Sequence, residues 1–160
     1  MLRDKSLIPL SHQHQHALAL CVRLDRALRK GEIELSVWQA EIEQLFEHEI
    51  KIHFAAEESI LFPAARQYAA LQPLVEELAG EHGVLREDFA RVAARTMTAH
   101  NLRRFGEQFA AHVRKEERQL FEEMQKLMPP EGLAVVGAEL ESALKEATQV
   151  CAIPQKRVKL

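Results

Sequence analysis

The sequence predicts an all-α protein, an up-down antiparallel four-helix bundle with a shorter fifth helix on its C-terminal side. Three observations carry that prediction. The 160 residues are rich in Ala, Leu, Glu, Gln and Arg and hold six Gly and one Tyr, a composition that favours helix. Apolar residues recur at helical spacing in five successive segments, and strand alternation is found in none. The connections between the first four segments are short, which sets neighbouring helices antiparallel.

Each element has its own signals. Ser11, after Pro9 and Leu10, is the expected N-cap of a first helix that runs to about Lys30, where Gly31 can end it. Ser36 is expected to open the second helix, with Gln39 completing a capping box. Its apolar positions Ile42, Leu45, Phe46, Ile50, Ile60 and Leu61 keep helical phase up to Pro63, where the helix should stop or kink. Residues 64–72 read as a connection. Pro73 suits the first turn of a third helix, which carries Leu74, Val75, Leu78, Leu85, Phe89 and Val92 to about Arg95. The pattern breaks around Thr96–Asn101, and a fourth helix runs from about Asn101 to Met128, closed by Pro129 and Pro130. Leu133, Val136, Leu140 and Leu144 then give a fifth helix, packed on the outside of the bundle. The chain therefore reads as one domain over residues 1–150, with the bundle at about 7–128 and the extra helix at about 131–150. The tail 151–160, with Lys156, Arg157 and Lys159, reads as flexible and solvated.

Composition also excludes several functions. With 28% charged residues and a net charge of −3 there is no basic field for a nucleic-acid backbone. No run approaches the roughly 18–20 apolar residues of a membrane span, and the N-terminal residues lead into no secretory h-region. Two cysteines, Cys21 and Cys151, make no disulfide framework and suit a reducing compartment. A soluble, cytoplasmic protein is the expectation.

The unusual feature is histidine, with eight in the chain. A frame HxxxEExxLF occurs twice, as His53-Phe-Ala-Ala-Glu57-Glu58-Ser-Ile-Leu61-Phe62 and as His112-Val-Arg-Lys-Glu116-Glu117-Arg-Gln-Leu120-Phe121. Residues four apart stack on one helix face, about 5–6 Å apart at Cβ, so each frame aims an imidazole and a carboxylate the same way. Helical phase at about 100° per residue tests each residue against the apolar stripe of its own helix. His14 lies within about 35° of the first stripe's centre, while His12 and His16 fall more than about 120° away. His53 sits at the centre of the second stripe, with Glu57 about 40° from it and Glu58 some 140° off. His82 lies near the middle of the third. On the fourth, Glu116 is about 30° from centre, and His112 and Glu117 are each about 70° off on opposite sides. Phase thus selects one inward histidine per helix, His14, His53, His82 and His112, with Glu57 and Glu116 beside them. His12, His16, His48 and His100 face solvent.

One such histidine would most simply be a core residue bonded to a backbone carbonyl. Four, with two acids on the same faces, need a compensating charge, because buried ionisable groups are costly unless paired or bound to metal. Imidazole with carboxylate suits iron, zinc or manganese rather than calcium or magnesium. The set is too large for one tetrahedral zinc and fits two metals, each holding two histidines, with Glu57 and Glu116 bridging. A bridging hydroxide or oxide would bring two divalent ions and two glutamates closer to neutrality.

Over about residues 7–128 the chain resembles the hemerythrin-like family of HHE cation-binding domains. The motifs LSHQHQHALAL, HFAAEESILFP, EHGVL and HVRKEERQLF carry the resemblance. It implies an up-down four-helix bundle around a non-haem centre of two iron ions, with His14, His53, Glu57, His82, His112 and Glu116 as ligands. His12 is an alternative alignment to His14, and helical phase favours His14. Oxygen-carrying hemerythrins have a fifth histidine four residues from another on the third helix; Leu78 and Arg86 occupy those positions here. They also set the second bridging acid five residues after its histidine, which keeps Glu117 as a rival to Glu116. Glu49, four residues before His53, can orient His53 through its free ring nitrogen, join the ligands, or stay partly exposed. The expected function is a di-iron protein reacting with dioxygen, peroxide or nitric oxide for sensing, storage or detoxification. The alternatives are a di-iron peroxidase, oxidase or ferroxidase, and an interaction module stabilised by metal.

Overall fold

The computed structural model describes the backbone of residues 1–151 and the side chains of residues 1–146; the basic tail lies outside the described residues. The chain is 86% helical with no strands among the described residues. Five helices follow one another: α1 (Ile8–Lys30), α2 (35–66), α3 (Gln72–Ala93), α4 (99–127) and α5 (Pro130–Cys151). Within the bundle α1 meets α2 and α4, and α3 meets the same two, so the four helices close a ring in chain order. None of the helices is long and apolar enough to cross a membrane.

The core is split into two apolar halves, and their membership fixes the antiparallel arrangement. One half gathers Leu24 and Leu28 from late α1, Ile42 and Phe54 from the first part of α2, Phe89 and Val92 from late α3, and Leu102, Phe105 and Phe109 from early α4. The other gathers Leu7 and Leu10, Leu61 and Phe62, Val75 and Leu78, and Leu120, Phe121 and Met124, from the opposite ends of the same helices. Leu133, Val136 and Leu140 of α5 join this second half, as expected for a helix packed on the bundle's outside. Between the halves, at the level of His14, His53, His82 and His112, lies a buried polar layer.

Helix starts differ from the sequence expectation. Ser11 does not cap α1, which begins at Ile8 with Pro9 in its first turn; the Ser11 hydroxyl instead donates to Glu117 Oε1 at 2.7 Å. Ser36 and Gln39 form no capping box, because α2 begins at Leu35 without a side-chain cap. Gln39 is buried, where its amide donates to the Leu35 carbonyl and accepts from the Met97 N–H, tying α2 to the α3–α4 connection. A capping box does occur at the start of α4, where Thr98 and Asn101 satisfy each other's backbone N–H groups. Gly31 ends α1 as expected, at φ 71°, in the left-handed region that glycine reaches without a steric penalty.

Helix α2 does not stop at Pro63 but continues to Arg66. The reason lies just upstream, where residues 57–61 form a π-helical turn and the Phe62 N–H bonds to the Glu57 carbonyl. This wider turn gives room to a ring that would crowd the preceding turn of a regular α-helix. A matching π turn spans Glu116–Leu120 in α4, and a third spans Phe46–Ile50. Both copies of the HxxxEExxLF frame therefore widen at the glutamate pair. The inserted residue turns the following Leu–Phe doublet back inward, and Leu61, Phe62, Leu120 and Phe121 are all fully buried.

Candidate metal centre

The six residues that helical phase selects meet in the polar layer. The imidazoles fall into two pairs. His14 and His53 bring their Nε2 atoms to 2.9 Å, and His82 and His112 bring theirs to 3.1 Å. Glu57 and Glu116, both 0% exposed, lie between the pairs. Glu57 points Oε1 at His53 Nε2 (3.1 Å) and Oε2 at His82 Nε2 (3.3 Å). Glu116 points Oε2 at His14 Nε2 (3.1 Å) and Oε1 at His112 Nε2 (3.2 Å). Each carboxylate thus spans both pairs, and its two oxygens face in opposite directions.

Two groups result: His14, His53, Glu57 and Glu116, and His82, His112, Glu57 and Glu116. Either could hold a metal ion. Two observations test whether a metal fits there. None of the four carboxylate oxygens has a regular hydrogen-bond partner although all are buried, a costly state unless a cation completes them. The donor spacing is also right. Donors about 2.1 Å from a common ion lie about 3.0 Å apart when they subtend a right angle and about 3.4 Å apart at the tetrahedral angle. The contacts of 2.9, 3.1 and 3.1 Å in the first group lie nearer the right-angle value, and those of 3.1, 3.3 and 3.2 Å in the second fall between the two.

Outside this layer every imidazole is held by its second nitrogen. His14 Nδ1 bonds to Glu117 Oε1 at 2.7 Å; His53 Nδ1 to Gln13 Oε1, His82 Nδ1 to Glu58 Oε1 and His112 Nδ1 to Glu81 Oε2, each at 2.8 Å. Carboxylate and amide oxygens accept, so Nδ1 carries the proton in each ring and Nε2 is the atom turned inward. Cations brace the acids in turn. Arg86 grips Glu58 through two nitrogens, at 2.6 and 3.0 Å, and Arg3 holds Glu117 at 2.7 Å, while Lys115 reaches Glu81 and Glu77. Rings fill the flanks. Phe54 stacks on His82 with centroids 3.8 Å apart, and Phe121 stacks on His14 at 5.5 Å.

With no metal, the charges inside the layer balance through protons. Burial by itself lowers the pKa of His14, but its close contact with the Glu116 carboxylate and the hydrogen bond it donates to Glu117 outweigh burial and raise the value to about 9. His82 follows the same logic, with burial overcome by Glu116 and Glu57, and also reaches about 9. In His112 the charge of Glu116 overcomes burial and the pKa reaches about 10. Burial and the neighbouring Glu116 push Glu57 upward, yet His53 and His82 more than offset both and hold it at about 2. Glu116 is likewise held well below the usual carboxylate range, its burial offset by His112, His14 and His82. Imidazole and carboxylate charge each other here, and a bound cation would take the place of those protons.

The family comparison agrees with this geometry. The family model described as the hemerythrin HHE cation-binding domain matches residues 9–147. The chain belongs to the hemerythrin HHE cation-binding family. No curated protein and no solved structure matches it. Within this HHE domain the four histidines not selected by phase are exposed, as expected. Position 86, where oxygen-carrying hemerythrins could place a further histidine, holds the arginine that grips Glu58 and lies over the Phe54 ring, 5.5 Å from its centroid.

Three neighbouring acids take distinct places. Glu49 neither orients His53 nor joins the cluster; it is half-buried and bonds to His16 Nδ1 at 2.8 Å, and Gln13 takes the ring nitrogen of His53 instead. Glu117, the rival to Glu116, lies one layer out against the back of His14. Glu58, assigned to the solvent side, is half-exposed but reaches the back of His82. The sequence carries a signal for Glu58 and Glu117, the second glutamate of each frame, but none for Gln13 and Glu81. Each HxxxEE frame carries a second glutamate for the histidine of a neighbouring helix, and the residue just before His14 or His82 serves His53 or His112.

Proposed function

We propose that this HHE domain is a non-haem di-iron protein that reacts with dioxygen, peroxide or nitric oxide in sensing, storage or detoxification. The observation that carries the reading is the pair of fully buried carboxylates, Glu57 and Glu116, each turning one oxygen to each histidine pair. In this reading His14 and His53 would hold one iron, His82 and His112 would hold the other, and both would share Glu57 and Glu116. Two imidazole nitrogens and two carboxylate oxygens would be fewer donors than iron commonly takes, which would leave room for a small ligand. Iron in that state supplies Lewis acidity and reversible one-electron chemistry toward oxygen species.

The chain's own residues supply the rest. The carboxylates of Glu58, Glu81 and Glu117 fix three imidazoles in the Nδ1–H tautomer and strengthen them as donors. The two apolar halves of the core keep bulk water from both sides of the layer, and Phe54 and Phe121 restrict what can approach the rings. Leu78, fully buried, and Arg86, bound to Glu58, leave no fifth histidine on α3, which favours chemistry or sensing over reversible oxygen carriage.

The test is anaerobic loading with Fe(II), followed by dioxygen, hydrogen peroxide and nitric oxide in separate absorption experiments. A single stoichiometric spectral change with at least one of them is the expected result. Sustained turnover of peroxide or Fe(II) that disappears in Glu57→Ala would move the assignment to a di-iron enzyme. An iron-loaded protein inert to all three would refute the proposal.

A further inference from the structure

The two halves of the centre have the same inner donors, and they differ in what lies behind one histidine of each pair. His14 and His53 of one half correspond to His82 and His112 of the other, and each half receives one oxygen from Glu57 and one from Glu116. The acids behind His14 and His82 also match: Glu117 is held by Arg3, and Glu58 is held by Arg86. Behind the remaining two histidines the match fails. Glu81 accepts from His112 Nδ1, whereas Gln13 accepts from His53 Nδ1, both at 2.8 Å. The two residues occupy equivalent places, each directly preceding the inward histidine of its helix.

We propose that the two metal positions differ in affinity and fill in order, the His82–His112 position before the His14–His53 position, and that Gln13 sets the difference. This rests on the two-metal reading above. The inner donors are the same in number and kind, so they give no preference. A hydrogen bond to a carboxylate is roughly twice as strong as one to a neutral acceptor, and it pushes electron density toward the opposite ring nitrogen. His112 therefore offers its metal a stronger Nε2 donor than His53 does. Glu81 also brings one negative charge that Gln13 lacks. Lys115 does not cancel that charge alone, because it is shared with Glu77. Gln13 is a positioning residue: it acts on the metal only through His53.

The decisive experiment is anaerobic titration of the full chain with Fe(II), followed by calorimetry, in the unaltered protein and in Gln13→Glu and Glu81→Gln. Both substitutions keep side-chain size and lie at partly exposed sites, so the fold should hold. A change at such an outer partner is expected to shift metal affinity by about 10–100-fold. The unaltered protein should bind two ions in two steps separated by about that factor. Gln13→Glu should tighten the second step toward the first, a gain that damaged packing cannot produce, and Glu81→Gln should weaken the first step. Crystals soaked with one equivalent of metal should show the anomalous peak between His82 and His112. Two ions of equal affinity, a second step unmoved by Gln13→Glu, or a first ion between His14 and His53 would overturn the ordering and leave the two-metal reading standing. Fewer than two ions bound by the unaltered protein would sink the two-metal reading and the ordering with it.

Discussion

Glu116 and Glu117 are neighbours with the same side chain, and the structure gives them different roles, so substituting each by glutamine separates the inner layer from the outer one. Glu116 is fully buried and touches His14 and His112 at 3.1 and 3.2 Å. Glu117 is half-buried, touches only the outer nitrogen of His14, and also serves Arg3 and Ser11. Glu116→Gln keeps the shape but removes a charge shared by both proposed metal positions and replaces one carboxylate oxygen with an amide. Breaking a buried ionic set by removing one partner costs about 3–5 kcal/mol, which is about two to four powers of ten in affinity. Glu117→Gln keeps an acceptor for His14 Nδ1 and loses only the charge assistance, so its cost is about 10–100-fold, or about 1.4–2.7 kcal/mol. Equilibrium dialysis against micromolar Fe(II) without oxygen, read by elemental mass spectrometry, measures both. Glu117→Gln should retain two ions with weaker binding to the His14 position, and Glu116→Gln should lose at least one. The reasoning fails if Glu117→Gln empties the centre while Glu116→Gln fills normally.

Two further outcomes follow from the same geometry. In the metal-free protein His14, His82 and His112 have folded pKa values of about 9, 9 and 10, above the ordinary 6.5, so their stabilisation is complete below pH 6.5 and is lost as pH rises through 9 to 10. Glu57 and Glu116 are held below 4.5, so their contribution is present above that value and is lost as pH falls toward 2. Denaturant titrations should place maximum metal-free stability at about pH 4.5–6.5, falling by a few kcal/mol toward pH 10, and metal loading should release protons at pH 7. A stability that rises from pH 6.5 to 10 would contradict the assigned charges. The second outcome concerns α5. A Cβ built on Gly137 would lie 2.5 Å from Ser6 Cβ and 2.7 Å from Ser6 Cα, closer than real atoms approach. Gly137→Ala should therefore push α5 from the N-terminal segment at a cost of about 1–3 kcal/mol, read as a fall in Tm of about 2–4 °C per kcal/mol. An unchanged or raised Tm would show that this contact is not tight.

Helical phase recovers the inner layer because a single period of 3.6 residues holds over the short distance between neighbouring turns. His53 and Glu57, or His112 and Glu116, are one turn apart and stay on one face whatever happens further along. The same assumption fails past Glu57 and Glu116, where the π turns begin. It therefore assigns Glu58 to solvent and ends α2 at Pro63, although the wider turn carries the helix through the proline to Arg66. Capping residues misled for another reason. Ser11, Gln39 and Glu49 have the right types for caps or ligand support, but tertiary partners in Glu117, Met97 and His16 claim their side chains. Partners such as Gln13 and Glu81 come from helices remote in sequence, and no local rule pairs them with His53 and His112.

In the proposed centre Glu57 and Glu116 hold two metal ions between two histidine pairs. The most direct measurement is elemental mass spectrometry on protein loaded anaerobically with Fe(II) and freed of excess metal, with an absorption spectrum taken before and after air. Two irons per chain, with oxo-bridged charge-transfer bands appearing in air, is the predicted result. One iron or none per chain, in a protein that remains folded, would contradict it.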